Sequence, residues 1–374
     1  MPPSSGGQPL SVVWSRSTVL AGPYNGHVRS DGLGLTSINS STPTVVWVSD
    51  DGVTWRNQPL PAGFEATDGS RSHDLLAVIG TTTSGNLRVP ALAISLNSDA
   101  WVVTVLDLGE LGLAHDPLSS HVAVAGNRII AAVGAGPEPG SDADTQLVFV
   151  GDGGAPFSRQ VNRRFKGAIP SVGSQYIWWT LHESGTLGPI TTIFGPSAPI
   201  GNIDYSSLDA GWETFARLAG DVTHIGGRGA GDEYFAIDDG ASPRSVRSII
   251  NRTTLVLDDA VAKQAFNGMN WLRNCCLNAE PSIGVGHAGL IALGSTEALG
   301  RLPAPTLSKL SVAVAGNGTD WTVEPIGQLL PEQGLDVTQL ISLPTRFLVV
   351  VTEREPQPDG TQDAIVLVGE VVKA

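Results

Sequence analysis

Histidines beside carboxylates are the residues of this chain whose types and spacing come closest to a hydrolytic centre. They occur in three segments: Ser72-His73-Asp74, His115-Asp116 and His182-Glu183. A histidine serves as a general base when a carboxylate orients its ring and a hydroxyl lies within reach. Neighbours in sequence seldom share that geometry, and the chain contains no Gly-x-Ser-x-Gly nucleophile elbow. We therefore expect these residues to lie in loops.

Paired carboxylates offer oxygen ligands of the kind that Ca²⁺ prefers. The pairs are Asp142 with Asp144, Asp238 with Asp239, and Asp258 with Asp259. None follows the spacing of a calcium-binding loop, and each pair also fits an Asx turn or a helix cap. A structural calcium ion is therefore one hypothesis, and no other cofactor is expected.

The two cysteines, Cys275 and Cys276, are adjacent in sequence. A disulfide between neighbours strains the peptide that joins them. Two alternatives stay open: reduced thiols partly buried beside Trp271, or a vicinal disulfide in an oxidising compartment. No CxxC motif or paired histidine lies near them, so a metal site is not expected there.

Tryptophans with polar neighbours are the candidates for binding a glycan or a protein partner. Trp178 and Trp179 are consecutive in one predicted strand and must face opposite ways. Trp212 and Trp271 lie in polar segments, and Arg228 lies in a glycine-rich loop where the backbone can approach a ligand closely. We predict Arg228, Trp212, Trp271 and Trp178 as ligand-binding residues. The alternative for each tryptophan is packing between sheets.

Repeated hairpins must position these side chains. In four segments an apolar strand ends in a tight turn, and an aromatic residue follows six positions after a turn residue. The pairs are Ser49 to Trp55, Ser95 to Trp101, Gly151 to Phe157 and Ala315 to Trp321. Hairpins of this kind cannot bury their apolar faces alone, so they must stack against copies of themselves. The spacing predicts a radial array of sheets.

The segment from Ser49 to Trp55 resembles the Asp-box, or BNR repeat, of sialidase-like β-propellers. Its sequence Ser-Asp-Asp-Gly-Val-Thr-Trp is one residue shorter between Asp and Thr than the family pattern, and the other three segments keep the turn and the aromatic ring. The resemblance implies structural roles for Ser49, Asp51, Gly52, Thr54 and Trp55. The carboxylate would accept turn amides, the glycine would supply a positive φ, and the indole would pack between blades. The matching aromatic residues of the other segments, Trp101, Phe157 and Trp321, would serve the same scaffold.

The same resemblance implies what a catalytic member would need: three arginines that hold a carboxylate, a tyrosine with a glutamate partner as nucleophile, and an aspartate as acid or base. The nearest match to the family's first arginine motif is Leu87-Arg88-Val89-Pro90, which follows the first Asp-box instead of preceding it. Glu233 and Tyr234 are neighbours that would point to opposite faces of a strand. A sialidase-like hydrolase is therefore the alternative and not the main prediction.

Composition and strand spacing predict an all-β fold. The chain has 374 residues with 45 Gly and 25 Pro, and only 16% of its residues are charged. We predict one β-propeller of about seven four-stranded blades, with six as the competing count. Residues 1–9 would form a flexible leader and residues 10–374 the propeller, closed by pairing of the N-terminal strand with the last blade. A short helix is expected at 258–266.

The charge excludes one class of partner and leaves others open. A net charge of −14 argues against nucleic acid, and no apolar stretch is long enough to cross a bilayer. The Pro/Ser/Gly leader resembles the region that follows the lipid-bearing Cys in actinobacterial lipoproteins, and the preference for Arg over Lys fits a GC-rich genome. We expect an extracytoplasmic protein, secreted or lipid-anchored, or a virion component, with a cytoplasmic location as the remaining alternative.

The predicted function is that of a non-catalytic binding or interaction module, recognising a glycan or protein at a funnel of the propeller. The two alternatives are the sialidase-like hydrolase and an assembly factor for a larger complex. A hydrolase would bring three arginines and an acid into one funnel, and an assembly factor would carry a large apolar patch.

Overall fold

The secondary structure is almost entirely β. The computed structural model describes residues 10–30, 34–39, 42–72, 74–96, 100–109, 120–125, 128–135, 145–152, 158–165, 169–172, 177–185, 188–196, 212–219, 222–227, 233–238, 245–250, 253–256, 270–271, 283–286, 288–295, 310–316, 320–331, 335–353 and 363–372. These ranges contain strands and two 3₁₀ turns, at Gly22–Asn25 and Gly327–Leu329. The helix predicted for 258–266 lies outside them.

The strands are numbered in chain order. They are β1 (Ser11–Leu20), β2 (His27–Ser30), β3 (Leu35–Ile38), β4 (Val45–Ser49), β5 (Arg56–Pro59), β6 (Glu65–Ser72), β7 (Leu75–Ser84), β8 (Leu87–Leu96), β9 (Val102–Val105), β10 (His121–Ala125), β11 (Arg128–Ala135), β12 (Thr145–Asp152), β13 (Ser158–Phe165), β14 (Ile169–Val172), β15 (Ile177–Gly185), β16 (Gly188–Pro196), β17 (Trp212–Ala219), β18 (Val222–Gly227), β19 (Glu233–Asp238), β20 (Ser245–Ile250), β21 (Thr253–Val256), β22 (Asn270–Trp271), β23 (Ile283–Gly286), β24 (Gly289–Ser295), β25 (Leu310–Ala315), β26 (Thr322–Pro325), β27 (Leu335–Ser342), β28 (Arg346–Glu353) and β29 (Asp363–Val372).

In the described part of the chain these strands form seven sheets, and every pairing is antiparallel. In strand order they are sheet 1 (β2-β3-β4-β5), sheet 2 (β6-β7-β8-β9), sheet 3 (β10-β11-β12-β13), sheet 4 (β14-β15-β16-β17), sheet 5 (β18-β19-β20-β21), sheet 6 (β22 and β23 beside β24, then β25 and β26) and sheet 7 (β27-β28-β29-β1). Most pairings join strands that are consecutive in the chain, and the exceptions are β22 with β24 in sheet 6 and β29 with β1 in sheet 7.

At four described junctions, between sheets 6 and 7, 7 and 1, 1 and 2, and 2 and 3, the sheets pack face to face and apolar clusters fill the space between them. Alternate residues of β28 show the arrangement: Phe347 and Val349 pack against sheet 6, whereas Leu348 and Val350 pack against sheet 1. Because successive side chains of a strand point to opposite faces, a sheet that is buried on both faces needs a continuous apolar run. Similar clusters join sheet 1 to sheet 2 and sheet 2 to sheet 3.

The first strands of successive sheets lie beside one another. Contacts join β2 with β6, β6 with β10, β10 with β14, β14 with β18, β18 with β23, and β23 with β27. The close approach of β23 to β27 depends on glycine, since a Cβ at Gly286 would lie 2.1 Å from the carbonyl oxygen of Ser342. The first strands therefore line the centre of the array.

The N-terminal strand belongs to the last sheet. β1 pairs antiparallel with β29 from Ser11 opposite Val372 to Leu20 opposite Asp363. Sheet 7 in turn packs against sheet 1, which contains the next strand in sequence. The predicted all-β propeller fold is confirmed. No helix in the described ranges is long and apolar enough to cross a membrane.

Candidate functional site

The main polar cluster of the described first strands joins three neighbouring sheets. Arg29 on β2 donates from Nη1 to Oδ2 of Asp68 on β6 at 2.6 Å. Nδ1 of His121 on β10 lies 3.6 Å from the same oxygen. Asp68 is buried, and the His121 side chain is 28% exposed. The imidazole is therefore the member of this cluster that a ligand in the central space reaches most easily.

Asp68 also covers the free backbone edge of the next first strand. Its Oδ2 accepts the backbone N–H of Val122 at 3.0 Å, and its Oδ1 accepts the N–H of Gly69 at 2.8 Å. Two residues further along β6, the hydroxyl of Ser70 accepts the N–H of Val124 at 2.8 Å. A buried N–H without a partner is costly, so these side chains stabilise the junction between sheets 2 and 3.

A β-bulge sets the position of Asp68. The register between β6 and β7 shifts between Ala66 and Asp68, which leaves Thr67 as the extra residue. Bulges turn a side chain to a new direction and occur frequently next to functional sites. This bulge gives sheet 2 a polar residue where an apolar alternation would continue.

The same bulge recurs in two other first strands. The register shifts between Val222 and His224 in sheet 5, and between Val337 and Gln339 in sheet 7. The extra residue is a threonine each time, and a polar residue follows it. His224 and Gln339 thus follow the extra residue as Asp68 does, but each lies in the fourth residue pair from its turn, whereas Asp68 lies in the fifth. His121 lies in the fifth residue pair from the turn between β10 and β11, as Asp68 does from the turn between β6 and β7. The β10–β11 pairing has no bulge.

The turn from Ser49 to Trp55 is closed by side-chain hydrogen bonds. Oδ1 of Asp51 accepts the backbone N–H groups of Val53 at 2.8 Å and Thr54 at 2.7 Å. Oγ of Ser49 accepts the N–H of Gly52 at 2.8 Å, and Gly52 has a φ of 74°. Partial burial raises the pKa of Asp51, but these amide hydrogen bonds outweigh it and hold the pKa below its usual value. The carboxylate is used within its own turn.

Tyr24 fixes this turn to the segment that leaves β1. Its hydroxyl donates to the Gly52 carbonyl, which also accepts Nε1 of Trp55 at 3.1 Å. The two rings meet edge to face with centroids 5.3 Å apart. Burial, with a smaller effect from the Asp51 carboxylate, raises the pKa of Tyr24 well above its usual range. Tyr24 is therefore a neutral packing residue here.

The three tryptophans that we predict to bind a ligand lie on strands that hold different positions within their sheets. Trp178 lies on β15, the second strand of sheet 4, opposite Ser171. Trp271 lies on β22, opposite Gly294 of β24, and so occupies the first-strand side of sheet 6. Trp212 begins β17, the outermost strand of sheet 4. Arg228 follows β18 directly and lies outside the described residues. By backbone position, Trp271 alone of these three tryptophans lies on the central side.

Relative to its strand, Trp212 lies one position later than the repeated aromatic residues. Trp55, Trp101 and Trp321 each come immediately before the outermost strand of their sheet, and Trp212 is the first residue of one. Trp101 shows what this position does: its Nε1 donates to the Pro59 carbonyl of the preceding sheet at 2.8 Å. The ligand-binding role of Trp212 stays a prediction.

Several predicted residues lie outside the described part of the chain. They are Phe157, His73, His115, Asp116, Asp142, Asp144, Asp239, Asp258, Asp259, Cys275 and Cys276. Within the described residues, no group of three or more His, Cys, Asp or Glu side chains is arranged to hold a metal ion. Arg88 lies on the exposed surface, where its guanidinium pairs with Glu65 and Thr81. It takes no part in the central cluster.

Sequence reasoning missed the central cluster because its members are far apart in the chain. Arg29 and Asp68 are separated by 39 positions, and Asp68 and Val122 by 54. The signal that could have found it is the polar run Thr67-Asp68-Gly69-Ser70, which precedes the apolar run of β7.

No protein-family model matches the chain, and no curated protein matches it in sequence. Among solved structures, it is similar to the acylaminoacyl peptidase of Pyrococcus horikoshii, with 6% identity over 96% of this chain and 52% of the peptidase, at a TM-score of 0.48. It is also similar to TolB from Acinetobacter baumannii, with 12% identity over 95% of this chain and 66% of TolB, at a TM-score of 0.38. The Trypanosoma rangeli sialidase aligns with 11% identity over 94% of this chain and 58% of the sialidase, at a TM-score of 0.36. The chain thus spans about half of the peptidase's length.

Proposed function

We propose that this chain is a non-catalytic binding β-propeller that recognises a glycan or a protein partner at the central opening of its sheets. The observation that carries the proposal is how the buried carboxylate of Asp68, on the first strand of sheet 2, uses its two oxygens. Both of its oxygens accept hydrogen bonds from the protein itself, from Arg29 and from two backbone amides. A catalytic acid or nucleophile needs an oxygen directed at the substrate, and this carboxylate instead joins strands.

The surroundings of the other relevant residues support the same proposal. A sialidase-type site requires arginines that converge on the carboxylate of the substrate. Arg88 pairs with Glu65 on the exposed surface, and Arg71 lies 2.6 Å from Asp50 at the turn of the neighbouring sheet. Arg29 pairs with a third carboxylate, that of Asp68. Each of these three described arginines therefore has its own carboxylate partner.

We assign the Ser49–Trp55 turn as an Asp-box with a structural role, and the turns before Trp101, Phe157 and Trp321 as degenerate copies of it. The hydrogen bonds of Asp51 and the positive φ of Gly52 support this assignment, because both groups act inside the turn. We also propose that the protein works outside the cytoplasm or on a virion surface.

The ligand would meet His121 and Trp271, which belong to first strands of different sheets. An imidazole supplies one donor and one acceptor, and an indole supplies a flat apolar face for a sugar ring or an aromatic side chain. Trp212 and Trp178 are farther from the centre by strand position.

A glycan array tests the proposal, with two tryptophan variants as a matched pair. We expect the wild-type protein to bind at least one glycan class, Trp271→Ala to lose that binding about tenfold or more, and Trp212→Ala to keep it while unfolding at a lower temperature. Silence of the wild-type protein on the array, together with capture of a specific protein that Trp271→Ala fails to capture, would identify a protein partner. Loss of binding with Trp212→Ala alone would contradict the assigned site.

A further inference from the structure

We infer that Glu324, on the outermost strand of sheet 6, makes the docking of the N-terminal strand β1 against that sheet dependent on pH. β1 docks more tightly once the Glu324 carboxylate takes up a proton. One edge of β1 pairs with β29, and one face of β1 packs against sheet 6. The contact between β1 and β26, which we call the β1–β26 seam, is separate from the central opening and does not depend on the proposed ligand.

The β1–β26 seam combines apolar packing with one hydrogen bond to the backbone. Val12 is buried in a cluster with Val312 of β25, and Leu10 and Trp14 pack against that cluster. The hydroxyl of Thr322 on β26 donates to the Leu10 carbonyl at 2.9 Å. The face of β1 that carries Val12 and Trp14 is therefore the face that meets sheet 6.

Trp14 brings a hydrogen-bond donor into this seam. Its indole ring lies over Gly369 of β29, where a Cβ would come within 2.8 Å of the ring. Nε1 is buried and makes no hydrogen bond of normal geometry within the described part of the chain. The acceptor that it faces is the partly buried carboxylate of Glu324, two positions after Thr322. A loose contact of this kind offsets only part of the hydration that the carboxylate loses.

The balance of these two effects favours the neutral form of Glu324. Partial burial raises the pKa of Glu324, and the Trp14 indole lowers it by a smaller amount. A carboxyl group with a raised pKa binds its proton more tightly in the docked state, so docking gains stability as pH falls through that pKa. The gain is complete below about pH 4.3, the ordinary pKa of a glutamate. At neutral pH the ionised carboxylate weakens the seam.

The charged groups on the neighbouring elements leave this effect in place. Because side chains alternate along a strand, Arg16 is on the face of β1 that meets sheet 6, but it is exposed and solvent screens its charge. Asp320 precedes β26. On β29, Glu370 lies on the opposite face of sheet 7, where it pairs with Arg346, and Asp363 lies at the far end of the strand. β25 contains no ionisable side chain.

Glu324→Gln tests the inference, because the amide keeps an acceptor for Trp14 and cannot ionise. Hydrogen exchange followed by mass spectrometry compares the full-length variant with the wild-type protein at the same pH. We expect the peptides of β1 to exchange about threefold or more slowly in the variant at neutral pH. The difference should shrink at about pH 4.3, where the wild-type carboxyl group is protonated as well. Circular dichroism would verify that each protein is folded.

Glu370→Gln is the matched control, because it makes the same substitution on the other face of sheet 7. It should leave the exchange of β1 unchanged at both pH values. Unchanged or faster exchange of β1 in Glu324→Gln at neutral pH would overturn the inference. So would equal slowing in Glu370→Gln, or slowing in Glu324→Gln that is as large at the acidic pH as at neutral pH.

Discussion

At the residue scale, the Ser49–Trp55 turn shows how polar side chains can be used entirely for structure. Ser49 and Asp51 accept amides inside the turn, and Tyr24 and Trp55 share the carbonyl of Gly52. This turn was predictable from sequence because its hydrogen bonds connect residues two and three positions apart. The contribution of Tyr24 was not, since it comes from another segment and depends on packing between sheets 7 and 1.

Replacing Tyr24 by Phe should lower the free energy of unfolding by about 1 kcal/mol at neutral pH, because one buried hydrogen bond to Gly52 is lost. The pKa of Tyr24 is raised in the folded state, so its stabilising effect is complete below about pH 10, the unfolded pKa, and is lost as pH rises. The difference between wild type and Tyr24→Phe should therefore shrink above about pH 10. Urea unfolding at several pH values measures it, and a constant difference would contradict the role of burial.

At the element scale, the first strands carry the polar residues that the apolar repeat did not reveal. The pattern of strand, turn and aromatic residue identified the third and fourth strands of several sheets, which contain the Ser49–Trp55 turn and Trp101. It said little about first strands, because their polar residues depend on the threonine bulges at Thr67 and Thr338 and on contacts between sheets. A bulge depends on how two strands pair, so its position is difficult to predict from the sequence of one strand.

Two ion pairs of different burial test the importance of the first strands. Asp68→Ala removes the buried partner of Arg29 and should lower the free energy of unfolding by about 3 kcal/mol. Arg88→Ala removes an exposed pair with Glu65 and should cost less than about 1 kcal/mol. Chemical denaturation of both variants gives the comparison. Equal costs would show that Asp68 does not join the sheets in the way described.

At the scale of the whole molecule, the pairing of β1 with β29 brings the two ends of the described chain into one sheet. The sequence predicted this pairing because three strands followed Trp321 and a fourth was missing, while the N-terminal strand had no partners of its own. The ligand was not predictable in the same way, since the repeat defines packing and the central side chains vary from sheet to sheet.

Neighbouring valines of β1 test that arrangement. Val12 is buried between sheets 6 and 7, whereas Val13 is exposed on the outside. Val12→Asp should lower the free energy of unfolding by several kcal/mol, on the order of 3 or more, because it buries a carboxylate without a partner. Val13→Asp should change it by roughly 0.5 kcal/mol or less. Thermal and urea unfolding measure both. If the two variants were equally stable, β1 would not be packed as the last strand of sheet 7.

The most direct test of the central claim, binding without catalysis, is hydrolysis of a fluorogenic sialoside and a small panel of aryl glycosides by the purified wild-type protein. We predict no turnover above the buffer rate, whether or not glycan binding is detected in the same wells. Turnover that Arg29→Ala, Arg88→Ala or Tyr234→Phe abolishes would contradict it and identify the protein as a sialidase-like hydrolase.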